Sequence, residues 1–185
     1  MKKTLSLALL LCFGAASAVS ALEVAGVTLP DTATVEGKTL KLNGAGLRTK
    51  MVFKVYVAGL YLETPTKDAA TVISSDQVKR MHLSILRSLD SSKITEAISE
   101  GFEKNSKGEL PALKARLDRL NSMIPNVEKG DQILLTYVPG RGTVVSAKNV
   151  EKGVIEGKDF ADALFSVWLG ANPVQPDLKK ALTGS

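Results

Sequence analysis

An α+β fold, with an antiparallel β-sheet covered on one face by a layer of α-helices, is what this 185-residue sequence predicts. Three observations point there. Strand-like segments come in clusters and hairpins, and do not alternate singly with helices. Two amphipathic helical stripes interrupt the strands between residues 91 and 125. Two more helical segments close the chain after Gly157. Hydrophobic residues make up 44% and charged residues 23%, a balance that excludes disorder and supplies one domain with a core.

Each element has its own signal. Met1 to Ala21 reads as a secretory signal peptide: Lys2 and Lys3 are basic, Leu5 to Phe13 is apolar, and Val19-Ser20-Ala21 fits a cleavage site, with Ala16-Ser17-Ala18 as an alternative. The apolar run is nine residues, against roughly 20 needed to span a bilayer, so no stable membrane anchor is expected after its removal. The expected domains are therefore 1–21, a signal, and 22–185, the folded unit, in a secreted protein of the bacterial periplasm. Without the signal the net charge falls from +5 to +3 and the only cysteine, Cys12, is gone. A single cysteine already rules out an internal disulfide.

Val24 to Leu29 is expected as one short strand closed by Pro30-Asp31, and Ala33 to Val35 as another before Gly37. Thr39 to Thr49 and Met51 to Glu63 are consecutive β-rich runs. The second is almost wholly apolar, so its centre is expected to be buried on both faces. Thr64-Pro65 ends it, Asp68 to Ile73 suits a short helix, and Gln77 to Leu86 alternates as a strand.

Ile94, Ala97, Ile98, Gly101 and Phe102 repeat at helical spacing, with Ser91 or Ser92 as the expected cap. Leu110, Leu113, Leu117, Leu120 and Ile124 form a second stripe, stopped by Pro125. Gln132 to Val138 and Thr143 to Ala147 flank Pro139-Gly140-Arg141-Gly142, a hairpin signal. Val154-Ile155 is a further short strand. Phe160, Leu164, Val167 and Trp168 mark a helix ending at Gly170, with Trp168 read as core, and Pro176 opens the last helix, which carries Leu178 and Leu182.

The inventory of reactive side chains is thin. With one histidine and one cysteine, no structural zinc site can be assembled, and neither a metal nor another cofactor is expected. No basic cluster with interleaved aromatics suggests nucleic acid. The pairs Lys79-Arg80 and Lys179-Lys180 are expected to be solvated. Asn43-Gly44-Ala45-Gly46 resembles a phosphate loop, but a strand follows where a helix would be needed. Glycines inside a strand more often mark a bulge or a close approach of backbone. His82 lies on the opposite face of its strand from Met81 and Leu83, which favours a surface or satisfied histidine over a catalytic one. No residue is singled out as catalytic.

Arg48 and Tyr56 differ from the rest, because each lies beside an apolar β-segment. A guanidinium there needs an anionic partner, and a ligand carboxylate can serve, with a tyrosine hydroxyl as a further donor. The alternatives are a structural ion pair or an exposed arginine at a hairpin turn. The sequence does not fix whether the two side chains share a face.

Leu42-Asn43-Gly44-Ala45-Gly46-Leu47-Arg48 followed by Phe53-Lys54-Val55-Tyr56-Val57-Ala58-Gly59-Leu60-Tyr61-Leu62 resembles the central hairpin of the chalcone isomerase-like family. Phe160 to Gly170, Pro173 and Leu178 to Leu182 resemble its C-terminal helices. The resemblance implies an open-faced sheet with a helical layer and a cleft between them. It also implies two possible functions. The plant enzymes of the family cyclise chalcones without a cofactor. The non-enzymatic branch binds fatty acids, with an arginine and a tyrosine holding the carboxylate. Arg48 falls on the arginine common to both groups, and Tyr56 on the tyrosine of the fatty-acid binders, where the enzymes carry a threonine. The enzymes' tyrosine and asparagine align with Asp90 and Ala97, and their late threonine with Leu178, so those polar groups are missing.

The expectation is a non-catalytic protein that binds a fatty acid or similar amphipathic carboxylate through Arg48 and Tyr56. Its tail would lie against Phe102, Leu113, Leu117 and Leu164. A cofactor-free isomerase of a chalcone-type unsaturated carbonyl is the enzymatic alternative. A partner-binding envelope protein with a filled, vestigial cleft is the third.

Overall fold

The computed structural model describes residues 21–184, so the expected signal lies almost wholly outside the described residues. Its elements run in chain order: β1 (Ala21–Val24), β2 (Val27–Pro30), β3 (Thr32–Val35), β4 (Lys38–Lys50), β5 (Phe53–Leu62), α1 (Ala69–Ser74), β6 (Lys79–Ile85), α2 (Ser91–Asn105), α3 (Leu110–Met123), β7 (Gln132–Val138), β8 (Gly142–Ala147), β9 (Val150–Ile155), α4 (Lys158–Leu169) and α5 (Pro176–Thr183). Strands β3 to β9 form one seven-stranded antiparallel sheet in sequential order. The helices sit in the β5–β6 and β6–β7 connections and after β9. This is the α+β architecture expected.

The helical layer and one sheet face share a large core that takes Val72 from α1, Phe102 from α2, Leu117 from α3, Leu164 from α4 and Leu182 from α5. A smaller cluster of Val35, Leu40, Tyr61, Val78, Val138 and Val144 lies apart from it. The β1–β2 hairpin covers part of the sheet beside that second cluster. Leu29 is buried there and the Tyr61 hydroxyl donates to Pro30 O at 2.9 Å. Both clusters draw on β5, which explains its unbroken apolar run: Val57 to Leu62 are all buried.

Four local expectations change. The single strand over Val24 to Leu29 is instead a hairpin, because Ala25 and Gly26 both take positive φ (51° and 82°) and reverse the chain. The cap of α2 is Asp90, one residue before Ser91, and its side chain makes no capping hydrogen bond. Lys79, expected in solvent, is fully buried. Its Nζ donates to the Val72, Ile73 and Ser75 carbonyls at the C-terminal end of α1 and sits 3.6 Å from Asp162. These partners compensate a charge that burial pushes down to a pKa of about 8. Its neighbour Arg80 is partly buried and donates from Nε to Thr136 Oγ1 at 2.8 Å.

The glycines of β4 are explained by α5. A Cβ on Gly44 would lie 2.2 Å from Ala181 O and 2.7 Å from Leu182 O, and one on Gly46 would lie 2.7 Å from the Ala181 Cβ. The strand therefore lets the helix backbone approach, and a register shift between Leu42 and Gly44 marks the place. Asn43 fastens the contact by donating to Leu182 O at 2.8 Å. Nothing in this stretch resembles a phosphate cradle.

Candidate functional site

Arg48 and Tyr56 are direct cross-strand partners in the β4–β5 ladder, so their side chains share a face. That row continues to Ile85 on β6. Immediately beyond Arg48 the register shifts, leaving Val55 without a partner on β4. The freed Thr49 N–H donates to Gln175 Oε1 at 2.9 Å, and Gln175 Nε2 donates to Leu47 O at 3.2 Å. Gln175 caps α5, so the final helix is tied to the strand at the arginine.

The guanidinium has partners in Thr49 and Gln175 and also hydrogen-bonds the Tyr56 hydroxyl. Its Nη1 donates to Thr49 O and to Gln175 Oε1, the latter at 3.2 Å. No ion pair among the described residues includes Arg48. The Nε/Nη2 edge is the one that accepts a carboxylate through two parallel hydrogen bonds. A filled, vestigial cleft would instead show Arg48 paired to a protein acid.

Tyr56 is set as a donor by its neighbour. Trp168 Nε1 donates to the Tyr56 hydroxyl oxygen at 2.9 Å. An indole N–H can only donate, so the phenol oxygen accepts and its own proton remains for another acceptor. Burial raises the phenol above its ordinary pKa of 10, against the opposing influence of the Trp168 bond and the Arg48 charge. The hydroxyl is therefore protonated at neutral pH.

Beside this pair a cavity of about 220 Å³ lies between the sheet and the helices. Leu83, Ile85 and Ile133 line it from the sheet, Ile94, Ala97 and Ile98 from α2, and Val167 and Trp168 from α4. Its charged lining residues are Arg48, Lys50, Arg87 and Lys93, with no carboxylate among them. It is thus a carbon-walled recess with a cationic rim, which suits a molecule with an apolar body and an anionic head.

The expected tail contacts are not the ones found. Phe102, Leu113, Leu117 and Leu164 are buried in the core, at most 3% exposed, and none lines the cavity. Phe102 packs on Phe160, their ring centroids 5.4 Å apart, and fills that region with protein. Ala97 does line the cavity, where it presents a methyl group, while neither Asp90 nor Leu178 lines it. His82 lies elsewhere, stacked near Tyr61 at 6.3 Å between centroids and within 3.3 Å of Ser84 Oγ. Burial and the nearby Arg80 lower its pKa to about 4. Sequence reasoning missed two contributors, Trp168 and Gln175. Trp168 had one available signal, an indole N–H that must find an acceptor when buried. Gln175 had only its place before the Pro176 that opens a helix.

No curated protein sequence matches the chain. Among solved structures it is similar to the fatty-acid binding protein AtFAP1 of Arabidopsis thaliana, with a TM-score of 0.71 and 14% identity, over 89% of this chain and 96% of that one. At that identity the likeness speaks for the fold. The family model described as chalcone isomerase-like matches residues 21–184, every residue the structure describes. With the sheet, the helical layer and the hairpin of Arg48 and Tyr56 in place, the chain belongs to the chalcone isomerase-like family.

Proposed function

We propose that the protein binds a fatty acid or a similar amphipathic carboxylate in the cavity between sheet and helices. The observation that carries this reading is Arg48, which pairs with no protein acid among the described residues and stands at the rim of a carbon-lined recess. Its Nε/Nη2 edge takes the carboxylate, the Tyr56 proton adds a hydrogen bond, and the tail lies against Ile85, Ile98 and Ile133. The AtFAP1 fold is consistent with such a ligand. The positions that the resemblance aligns with the tyrosine and asparagine of the flavonoid-cyclising enzymes are Asp90, which does not line the cavity, and Ala97, which presents only a methyl group to it. The leader-like Met1 to Ala21 supports export to the periplasm as the setting.

Native mass spectrometry of the protein purified from its host tests the reading. A co-purified carboxylic acid in the wild type, reduced in Arg48→Ala, is the expected result. Absence of any bound acid from both, even after incubation with decanoate, would sink it. Residues 1–21 missing from the protein recovered in the periplasmic fraction would support export.

A further inference from the structure

Five large apolar side chains stand exposed among the described residues, and three of them are consecutive. Met51 is 90%, Val52 87% and Phe53 52% exposed. They form the tip of the β4–β5 hairpin, with Met51 and Val52 as the two residues between the strands. A two-residue hairpin turn ordinarily takes Asn, Asp or Gly. Here Met51 adopts φ +56°, the left-handed region that L side chains rarely enter. The turn therefore displays hydrophobes where both solvation and backbone geometry favour small polar residues.

The surroundings are cationic. Lys50 and Lys54 flank the tip and are exposed. The Arg87 guanidinium lies over the Phe53 ring at 4.4 Å. Lys93, which also lines the cavity, pairs with Glu96 at 3.4 Å, whereas Lys50, Lys54 and Arg87 form no ion pair among the described residues. Met51 and Phe53 also line the cavity, so its mouth opens beside the tip.

From this juxtaposition we propose that the hairpin tip docks reversibly on an anionic phospholipid bilayer. The three apolar side chains enter the boundary between head groups and acyl chains, and the flanking cations pair with anionic head groups. Docking turns the cavity mouth towards the acyl layer, so an amphipathic molecule can pass between bilayer and cavity without crossing water. The docking itself does not depend on the carboxylate reading.

The test is flotation of the full chain, expressed from its own Met1, with mixed phosphatidylcholine–phosphatidylglycerol vesicles and with pure phosphatidylcholine vesicles. Two variants, Val52→Ser and Lys54→Glu, change the tip at residues that do not line the cavity. Binding to the mixed vesicles, and much weaker binding to the neutral ones, is expected. Val52→Ser should weaken it about tenfold through the lost apolar transfer. Lys54→Glu should weaken it about 30-fold, from one attraction lost and one repulsion gained near the surface, about 1 kcal/mol each. Decanoate affinity in solution should be unchanged in both, which separates failure at the tip from failure of the cavity reading. No flotation with the mixed vesicles, equal flotation with neutral ones, or flotation that both variants leave unaltered would overturn the proposal. So would a dimer that Val52→Ser disperses while vesicles bind nothing, since the tip would then serve a second copy of the chain.

Discussion

Replacing Arg48 by methionine tests the carboxylate clamp with little disturbance to the fold. Methionine keeps an unbranched apolar stem in the same place. The Thr49 N–H to Gln175 and Gln175 to Leu47 hydrogen bonds do not involve the guanidinium, so α5 stays tied to β4. The guanidinium's own bonds to Thr49 O, Gln175 Oε1 and Tyr56 go with it, and the loss that the ligand feels is the Nε/Nη2 edge. Two hydrogen bonds to a charged group contribute about 1.5–3 kcal/mol each. The cavity has a cationic rim, with Lys50, Arg87 and Lys93 retained, so the lower end applies. A net loss of about 3 kcal/mol corresponds to about 150-fold in Kd. Isothermal titration calorimetry with decanoate and decanol reads this directly. The wild type should prefer the acid by about that factor, and Arg48→Met should lose the preference while still binding the alcohol. A variant that discriminates acid from alcohol as well as the wild type would refute the assignment.

Tyr56→Phe should weaken decanoate binding about fivefold, one net hydrogen bond, and also lower the unfolding midpoint in urea, because it leaves the Trp168 N–H without its acceptor. Gly44→Ala should cost about 1–3 kcal/mol of stability, since the new methyl meets the backbone of α5 at 2.2 Å and neither chain can yield freely; calorimetry should show Tm lower by roughly 2–12 °C. For His82, burial holds the folded-state pKa at about 4, down from the usual 6.5. The unfolded chain therefore takes up a proton that the folded chain refuses as pH falls from about 6.5 to about 4. Stability from this group is full above that window and declines through it. Thermal scans across the window should show the slope in the wild type and a shallower one in His82→Gln; equal slopes would remove His82 as its source.

How much of this was legible in the sequence depends on the kind of physics involved. Strands, hairpins and helices follow from apolar periodicity, and β5, the hairpin around Gly140 and the stripes of α2 and α3 emerge as that periodicity requires. The glycines of β4 were readable as a close approach of backbone, although not which element approaches. The common face of Arg48 and Tyr56 was not readable, because a bulge next to the pair breaks simple counting between the strands. Lys79 looked like a surface lysine because its partners are the carbonyls at the end of α1 and Asp162 on α4, which no local pattern brings to it. The location of the cavity was equally hidden. Large apolar residues such as Phe102 and Leu164 mark where carbon is dense, whereas an opening needs smaller side chains such as Ala97 between the same layers.

The hydrogen bond between Trp168 and Tyr56 has a consequence beyond holding a phenol in place. Trp168 is the only tryptophan in the chain, and its indole is tied to the hydroxyl at the rim of the cavity. The fluorescence of the whole molecule therefore originates almost entirely from one address. An occupant that accepted a hydrogen bond from Tyr56 would alter the polarity around that indole and nowhere else of comparable brightness. Shifts in emission wavelength would then be a direct, label-free record of the proposed ligand entering and leaving the cavity.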